Sequence, residues 1–204
     1  SHGTGYMSNG KNFNNYFGRI YQARYLSGIV AGMNTKSNLI GYVAAQDSSN
    51  SEVTGGIDAF AIGVASVNPD AKINVIITNS WYDPEKEEAA SRQLLDMGCD
   101  VMAQHCDTAY PQTLAQERGV YGIGYNSDMS KETPDSCLTS VIWNWSAYYT
   151  SAVKSNTLTD ISSIRRSTCS IIFDCNQTRR MDRALPYSCL LYTSPSPRDG
   201  LLSR

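Results

Sequence analysis

Apolar and polar positions along this chain fall into alternating blocks of two periods. Tyr21, Tyr25, Gly28 and Gly32 recur at helical spacing and predict a helix over about Tyr16 to Met33 whose glycines let another backbone approach. Asn38 to Ala45 is a short apolar run of the kind that forms a fully buried strand. A second helix follows the polar loop Gln46 to Ser51, with Ile57, Phe60, Ala61 and Val64 on its core face and Asn68-Pro69-Asp70 as its stop. Lys72 to Thr78 reads as a strand. Asp83-Pro84 opens a third helix, Asp as N-cap and Pro at the first helical position. Ala90, Leu94 and Met97 are expected to face inward from it, and Gly98 to end it. Strands are expected at Asp100 to Gln104, Val120 to Tyr125 and Leu138 to Ile142, with helices at Tyr110 to Arg118 and Asn144 to Lys154.

Strands that alternate with helices imply an α/β fold, a parallel sheet flanked by helices. In such sheets ligands bind at the carboxyl ends of the strands. The residues just after each predicted strand are therefore the candidate site. They include Trp81, Tyr82 and Asp83, then His105 to Thr108, then Asn126 to Asp128, then Trp143 to Trp145. Indoles, amides and carboxylates gather on one rim. Trp81 and Trp143 are the candidates for an aromatic face, with Tyr16 and Tyr82 behind them. Asp107 and Asp128 can accept from N–H or hydroxyl groups, and Asn126 and Asn14 can donate or accept.

Composition narrows the choice. Hydrophobic residues make up 41% of the 204 and charged residues 18%, enough for a packed core. A net charge of −2 gives no reason to expect nucleic acid as a partner. Thirteen tyrosines against four phenylalanines suit a site for a flat, polar ligand. No stretch is long and apolar enough to span a bilayer. The six cysteines include no C-x-x-C pair, and no metal-ligand cluster, P-loop or dinucleotide fingerprint is present, so no metal or cofactor is expected. His105-Cys106-Asp107 holds residue types used in catalysis. Neighbours on a strand point to opposite faces, however, so they do not form a dyad, and no enzyme is expected.

The text from Asn14 to about Tyr149 resembles the basic membrane protein family of ABC-importer solute-binding proteins. The phrases that carry the resemblance are NYFGRIYQARYLSGIVAG, IGYVAA, NSEVTGGIDAFAIGV, NPDAKINV, NSWYDP, DMGCDVMAQHCDT, GIGYNSDMS and LTSVIWNW, in that order. The resemblance implies one lobe plus hinge elements of a two-lobed type I periplasmic binding protein. It implies capture of a purine nucleobase or nucleoside between the lobes and delivery to an ABC permease complex. It also implies a periplasmic or lipid-anchored, cell-surface location for the full-length protein; a monomer is expected. The alternative is a ligand-sensing domain of a regulator or receptor with the same fold. Nucleoside-binding members commonly carry a lysine just after the strand that here ends in LTSVIW. Trp143 stands in its place, which favours a free base held by stacking.

The expected organisation is a remnant of the first lobe and a hinge-side helix over 1–34, a ligand-binding lobe over 35–156, and an artefactual or disordered tail over 157–204. Cys189 to Asp199 (CLLYTSPSPRD) resembles a translated sequencing adapter. With one wall of the cleft, this chain is expected to bind ligand weakly by itself.

Overall fold

The computed structural model describes residues 17–156 and 169–173. Its elements run α1 (Ile20–Asn34), β1 (Leu39–Ala44), α2 (Ser51–Val67), β2 (Lys72–Ile77), α3 (Pro84–Asp96), β3 (Val101–His105), α4 (Tyr110–Glu117), β4 (Tyr121–Asn126), β5 (Cys137–Trp143), α5 (Trp145–Asn156) and β6 (Cys169–Phe173). One sheet takes the order β2-β1-β3-β4-β5-β6. Strands β1 to β5 are mutually parallel, and β6 pairs antiparallel with β5. The backbone of β6 comes from the stretch after residue 156, to which the sequence pattern assigns no element.

The period of two along each strand sorts the core into layers. Ile40, Tyr42 and Ala44 of β1, with Val101 and Ala103 of β3, pack under α1 and α2 together with Phe60 and Val64. Val43 and Ala45, with Met102 and Cys106, pack under α3 and α4 with Leu94 and Leu114. Helices thus cover both faces, as right-handed parallel crossovers require. Strand β2 lies at the edge, and its residues are only half-buried or exposed.

Local chemistry sets the helix ends. The Asn50 side chain accepts from the backbone N–H groups of Glu52 and Val53 and caps α2. Asp83 accepts from Lys86 N–H, and Glu87 accepts from Asp83 N–H in return. Gly98 follows α3 at φ 88°, where other residues are strained.

Two inward faces differ from expectation. Met97 is half exposed, because α3 ends at Asp96, and Leu95 takes the core position instead. Helix α1 starts at Ile20, with residues 17–19 outside it; of the predicted face, Gly28 and Gly32 are buried, but Tyr21 is exposed and Tyr25 only half-buried. It buries Ile20, Ala23, Arg24, Ser27, Gly28 and Ala31, while Tyr21 is 48% exposed. The small residues at this interface allow the close crossing with α2, and the larger tyrosine is left outside.

Candidate functional site

The carboxyl ends of β1 to β4 form a rim held by backbone hydrogen bonds between loops. Asp107 N–H donates to the Trp81 carbonyl at 2.8 Å, tying the loop after β3 to the loop after β2. Asn79 and Asn126 turn the chain there with φ of 54° and 68°, a conformation that asparagine tolerates better than most residues. Asn126 Nδ2 donates to Asp107 Oδ1 at 3.2 Å. Two of the predicted site residues are therefore in direct contact. Asp107 is exposed, yet neighbouring protein withdraws enough water to raise its carboxyl above the usual range, with Asn126 opposing and Glu87 adding to the shift.

The loop is also pinned from below. Gln104 Nε2 donates to the carbonyls of Cys106 and Thr108 at 2.8 and 2.7 Å, and Gln112 Nε2 donates to Gln104 Oε1 at 2.9 Å. Glu87, fully buried on α3, accepts from Thr108 N–H at 3.2 Å and from Thr108 Oγ1 at 2.6 Å.

The aromatic candidates take separate places. Trp81 is partly buried where three apolar clusters meet, with its ring edge-on to His105 at 5.9 Å. Trp143, the last residue of β5, stacks on Trp145 at 4.7 Å and meets Phe17 edge-on at 5.2 Å. Both border the cluster formed by Ile20, Ala23, Tyr125 and Val141, so one apolar cluster joins the two indoles. Tyr82 is 68% exposed and does not back Trp81; the turn into α3 carries it outward. Asp128 accepts from the N–H and Oγ of Ser130, closing a local turn. Asn14 and Tyr16 lie outside the described residues.

Sequence pattern does not single out the group beneath the rim. Arg24 of α1 is fully buried, with its guanidinium 4.6 Å from the centre of the Tyr125 ring and 5.6 Å from that of Tyr42. Among the described residues its three side-chain nitrogens have no hydrogen-bond partner. Tyr125 donates to Glu52 Oε1 at 3.0 Å. His105 Nε2 lies 3.6 Å from the same oxygen, and His105 Nδ1 lies 3.2 Å from the Tyr42 hydroxyl. A hydroxyl donating to Nδ1 leaves the proton on Nε2, facing the carboxylate, which is the favourable tautomer. A Cβ at Gly56 would sit 2.8 Å from His105 Cε1, so this glycine of α2 makes room for the ring. Glu52 also lines a cleft of about 200 Å³ with Phe17, Ile20, Tyr21, Ser51 and Gly55.

Burial dominates the electrostatics. It holds the His105 imidazole well below its ordinary 6.5, and Arg24 pushes in the same direction. His105 is therefore neutral when folded but takes a proton near its ordinary value when unfolded. Its stabilising contribution is present above that value and is lost as pH falls through the folded value. Urea denaturation of His105→Gln beside the unsubstituted chain, between neutral pH and about 5, is expected to show a shallower acid-side loss in the variant. The slope difference approaches about 1.4 kcal/mol per pH unit for one proton. Parallel pH dependences would refute this role for His105.

His105 faces the α2 side of the sheet and Cys106 the α3 side, as strand geometry requires. Burial, reinforced by Glu87, raises the Cys106 thiol far from nucleophilic use. Among the described residues no three His, Cys, Asp or Glu side chains group to hold a metal, and no helix is long and apolar enough to cross a membrane.

Comparison with known proteins agrees with this geometry. A family model described as Bmp, ABC transporter substrate-binding protein PnrA-like, matches residues 2–163. A purine-binding protein of Brucella abortus is 39% identical over 153 residues, 75% of this chain and 43% of that protein. A Haloferax volcanii protein, provisionally named an ABC transporter glucose-binding protein, is 43% identical over 148 residues, 72% of this chain and 37% of that one. The chain thus spans less than half the length of these two relatives. An ABC solute-binding protein of Aeropyrum pernix superposes with a TM-score of 0.60 at 20% identity, covering 70% of this chain and 43% of that one, which is a likeness of fold. The matched family consists of solute-binding proteins, not enzymes. This chain belongs to the PnrA-like family of ABC transporter substrate-binding proteins.

Proposed function

We propose that this chain supplies one wall of a cleft that captures a purine, a free base in preference to a nucleoside, for delivery to an ABC permease. The full-length protein then works outside the cytoplasmic membrane, in the periplasm or anchored at the cell surface. The observation that carries the reading is the rim itself. It has two indoles joined by one apolar cluster and an exposed carboxylate paired with an amide. A purine is flat and edged with donors and acceptors. It needs an aromatic face, where stacking contributes on the order of 1–3 kcal/mol per base, and a few fixed polar groups. The purine-binding relative supports the same ligand class, and the glucose-binding one names the competitor.

Isothermal titration of the full-length protein with adenine, hypoxanthine, adenosine, inosine and glucose is the direct test. Adenine or hypoxanthine is expected to bind more tightly than the nucleosides, and glucose not at all. Saturable binding of glucose with no response to any purine would overturn the proposal. A nucleoside preferred over its base would overturn the preference for a free base.

A further inference from the structure

We propose that Glu52, held by Tyr125 and faced by buried Arg24, is the specificity-determining carboxylate that accepts an N–H donor from the ligand. The inference rests on the purine reading above and names the group that reads the purine's donor edge. Glu52 occupies the first turn of α2, just past the carboxyl end of β1. Its side chain is only 9% exposed, yet it forms part of the cleft wall beside Phe17 and Tyr21. Among the described residues, its two polar side-chain neighbours, Tyr125 and His105, both approach one oxygen, Oε1. A carboxylate has about four lone-pair positions, so acceptor capacity remains for a ligand.

Arg24 explains why a carboxylate is kept there. A fully buried guanidinium whose three nitrogens lack hydrogen-bond partners is a costly feature. Two tyrosine rings offset part of that cost. Glu52 is coupled to the guanidinium through Tyr125, whose ring lies 4.6 Å from Arg24 and whose hydroxyl donates to Glu52 Oε1. The benefit is mutual, because burial raises the Glu52 carboxyl while Tyr125 and Arg24 pull it back down. The groups facing Glu52 are Arg24 from α1, His105 from β3, Tyr125 from β4 and Asp107 from the loop after β3. His105 is neutral, and Asp107 raises the Glu52 carboxyl. Arg24 is therefore the one cation in the set that favours ionised Glu52. It acts as a positioning residue, through the carboxylate.

The experiment uses the full-length protein, with adenine and 6-methylpurine as probes; the second lacks the exocyclic amine. Glu52→Gln keeps the shape and an acceptor oxygen but loses the charge. Its adenine affinity is expected to fall by about tenfold or more, the difference between a charged and a neutral acceptor. A fall for adenine alone assigns the exocyclic amine, and a fall for both probes assigns a ring N–H. Arg24→Met should move the acid-side loss of adenine binding to higher pH, because the cation that favours ionised Glu52 is gone, with affinity recovering as pH rises and Glu52 ionises. A merely structural role would not restore binding with pH. Adenine affinity within about twofold of the unsubstituted protein in Glu52→Gln overturns the inference. If the unsubstituted protein binds none of the purines, the purine reading fails and the inference with it.

Discussion

Gly63→Ala is expected to destabilise the fold by on the order of 2–3 kcal/mol, although alanine is the better helix former. Inside a helix the exchange normally gains up to about 1 kcal/mol. Here a Cβ would collide with the Tyr25 carbonyl oxygen of α1 and also lie within 3.1 Å of Ile29 N. Both obstacles are backbone, so no side-chain rotation relieves the overlap. Gly28 of α1 has the reciprocal relation to the Phe60 carbonyl of α2, and the two helices cross through this pair of glycines. Gly55, in the same helix, provides the control. Nothing lies within 4 Å of its added Cβ, so Gly55→Ala is expected to hold stability or raise it. Urea denaturation of both variants decides the matter, and a Gly63→Ala chain as stable as the unsubstituted one would remove the crossing as a determinant of the fold. The consequence reaches the site, because α1 carries Arg24 one turn before Gly28 and Ile20 on the cleft wall. Forcing the helices apart displaces the buried cation from Glu52.

That crossing shows where legibility in the sequence ends. The glycines of α1 are visible in the text, and their use for a close approach follows from their lack of a side chain. The identity of the buried face does not follow. A tyrosine pattern at Tyr21 and Tyr25 outweighs the small residues Ala23, Ser27 and Ala31 in any apolar count. An arginine at Arg24 reads as solvent-facing until two tyrosine rings from β1 and β4 are brought around it. The alternation of strands and helices is local and legible, as is the cap Asp83 with its partners three and four residues away. The rule that ligands meet the carboxyl ends of parallel strands puts Trp81, Asp107 and Asn126 in adjoining loops. The contacts under them join residues far apart in the chain. Tyr125 and Glu52 are separated by 73 positions, and Thr108 and Glu87 by 21. Neither pairing leaves a periodic trace. Glu52 in particular reads as an ordinary acidic residue in the first turn of a helix, which is stabilising there for reasons unrelated to a site.

Glu87→Ala is expected to cost on the order of 3 kcal/mol and to weaken ligand binding without touching the ligand. The Glu87 side chain closes two structures at once. One oxygen accepts from Asp83 N–H at 3.0 Å and completes the reciprocal cap of α3. The other accepts from Thr108 N–H and Oγ1, the residue next to Asp107. Alanine leaves the two Thr108 donors without their acceptor in a buried site, where each unsatisfied group costs about 1–3 kcal/mol, and also frees the part-buried Asp83 N–H. Loss of a cap alone amounts to about 1 kcal/mol, so a measured effect near that value would assign Glu87 to the helix end only. The larger figure requires the bond to the loop after β3 to contribute as well. Glu87→Gln separates the two, because one amide oxygen can serve either Asp83 or Thr108 while its NH2 group faces a donor. It should retain part of the stability and still loosen the loop. Asp107 is held by its own N–H to Trp81 and by Asn126. With the Glu87 bonds to Thr108 lost, only the Gln104 bonds to the Cys106 and Thr108 carbonyls support the loop beside those two, and adenine affinity of the full-length protein should drop in both variants. Unchanged affinity in a destabilised Glu87→Ala protein would show that the loop keeps its form without the buried carboxylate, and that the bonds from Gln104 together with those of Asp107 to Trp81 and Asn126 are sufficient to position it.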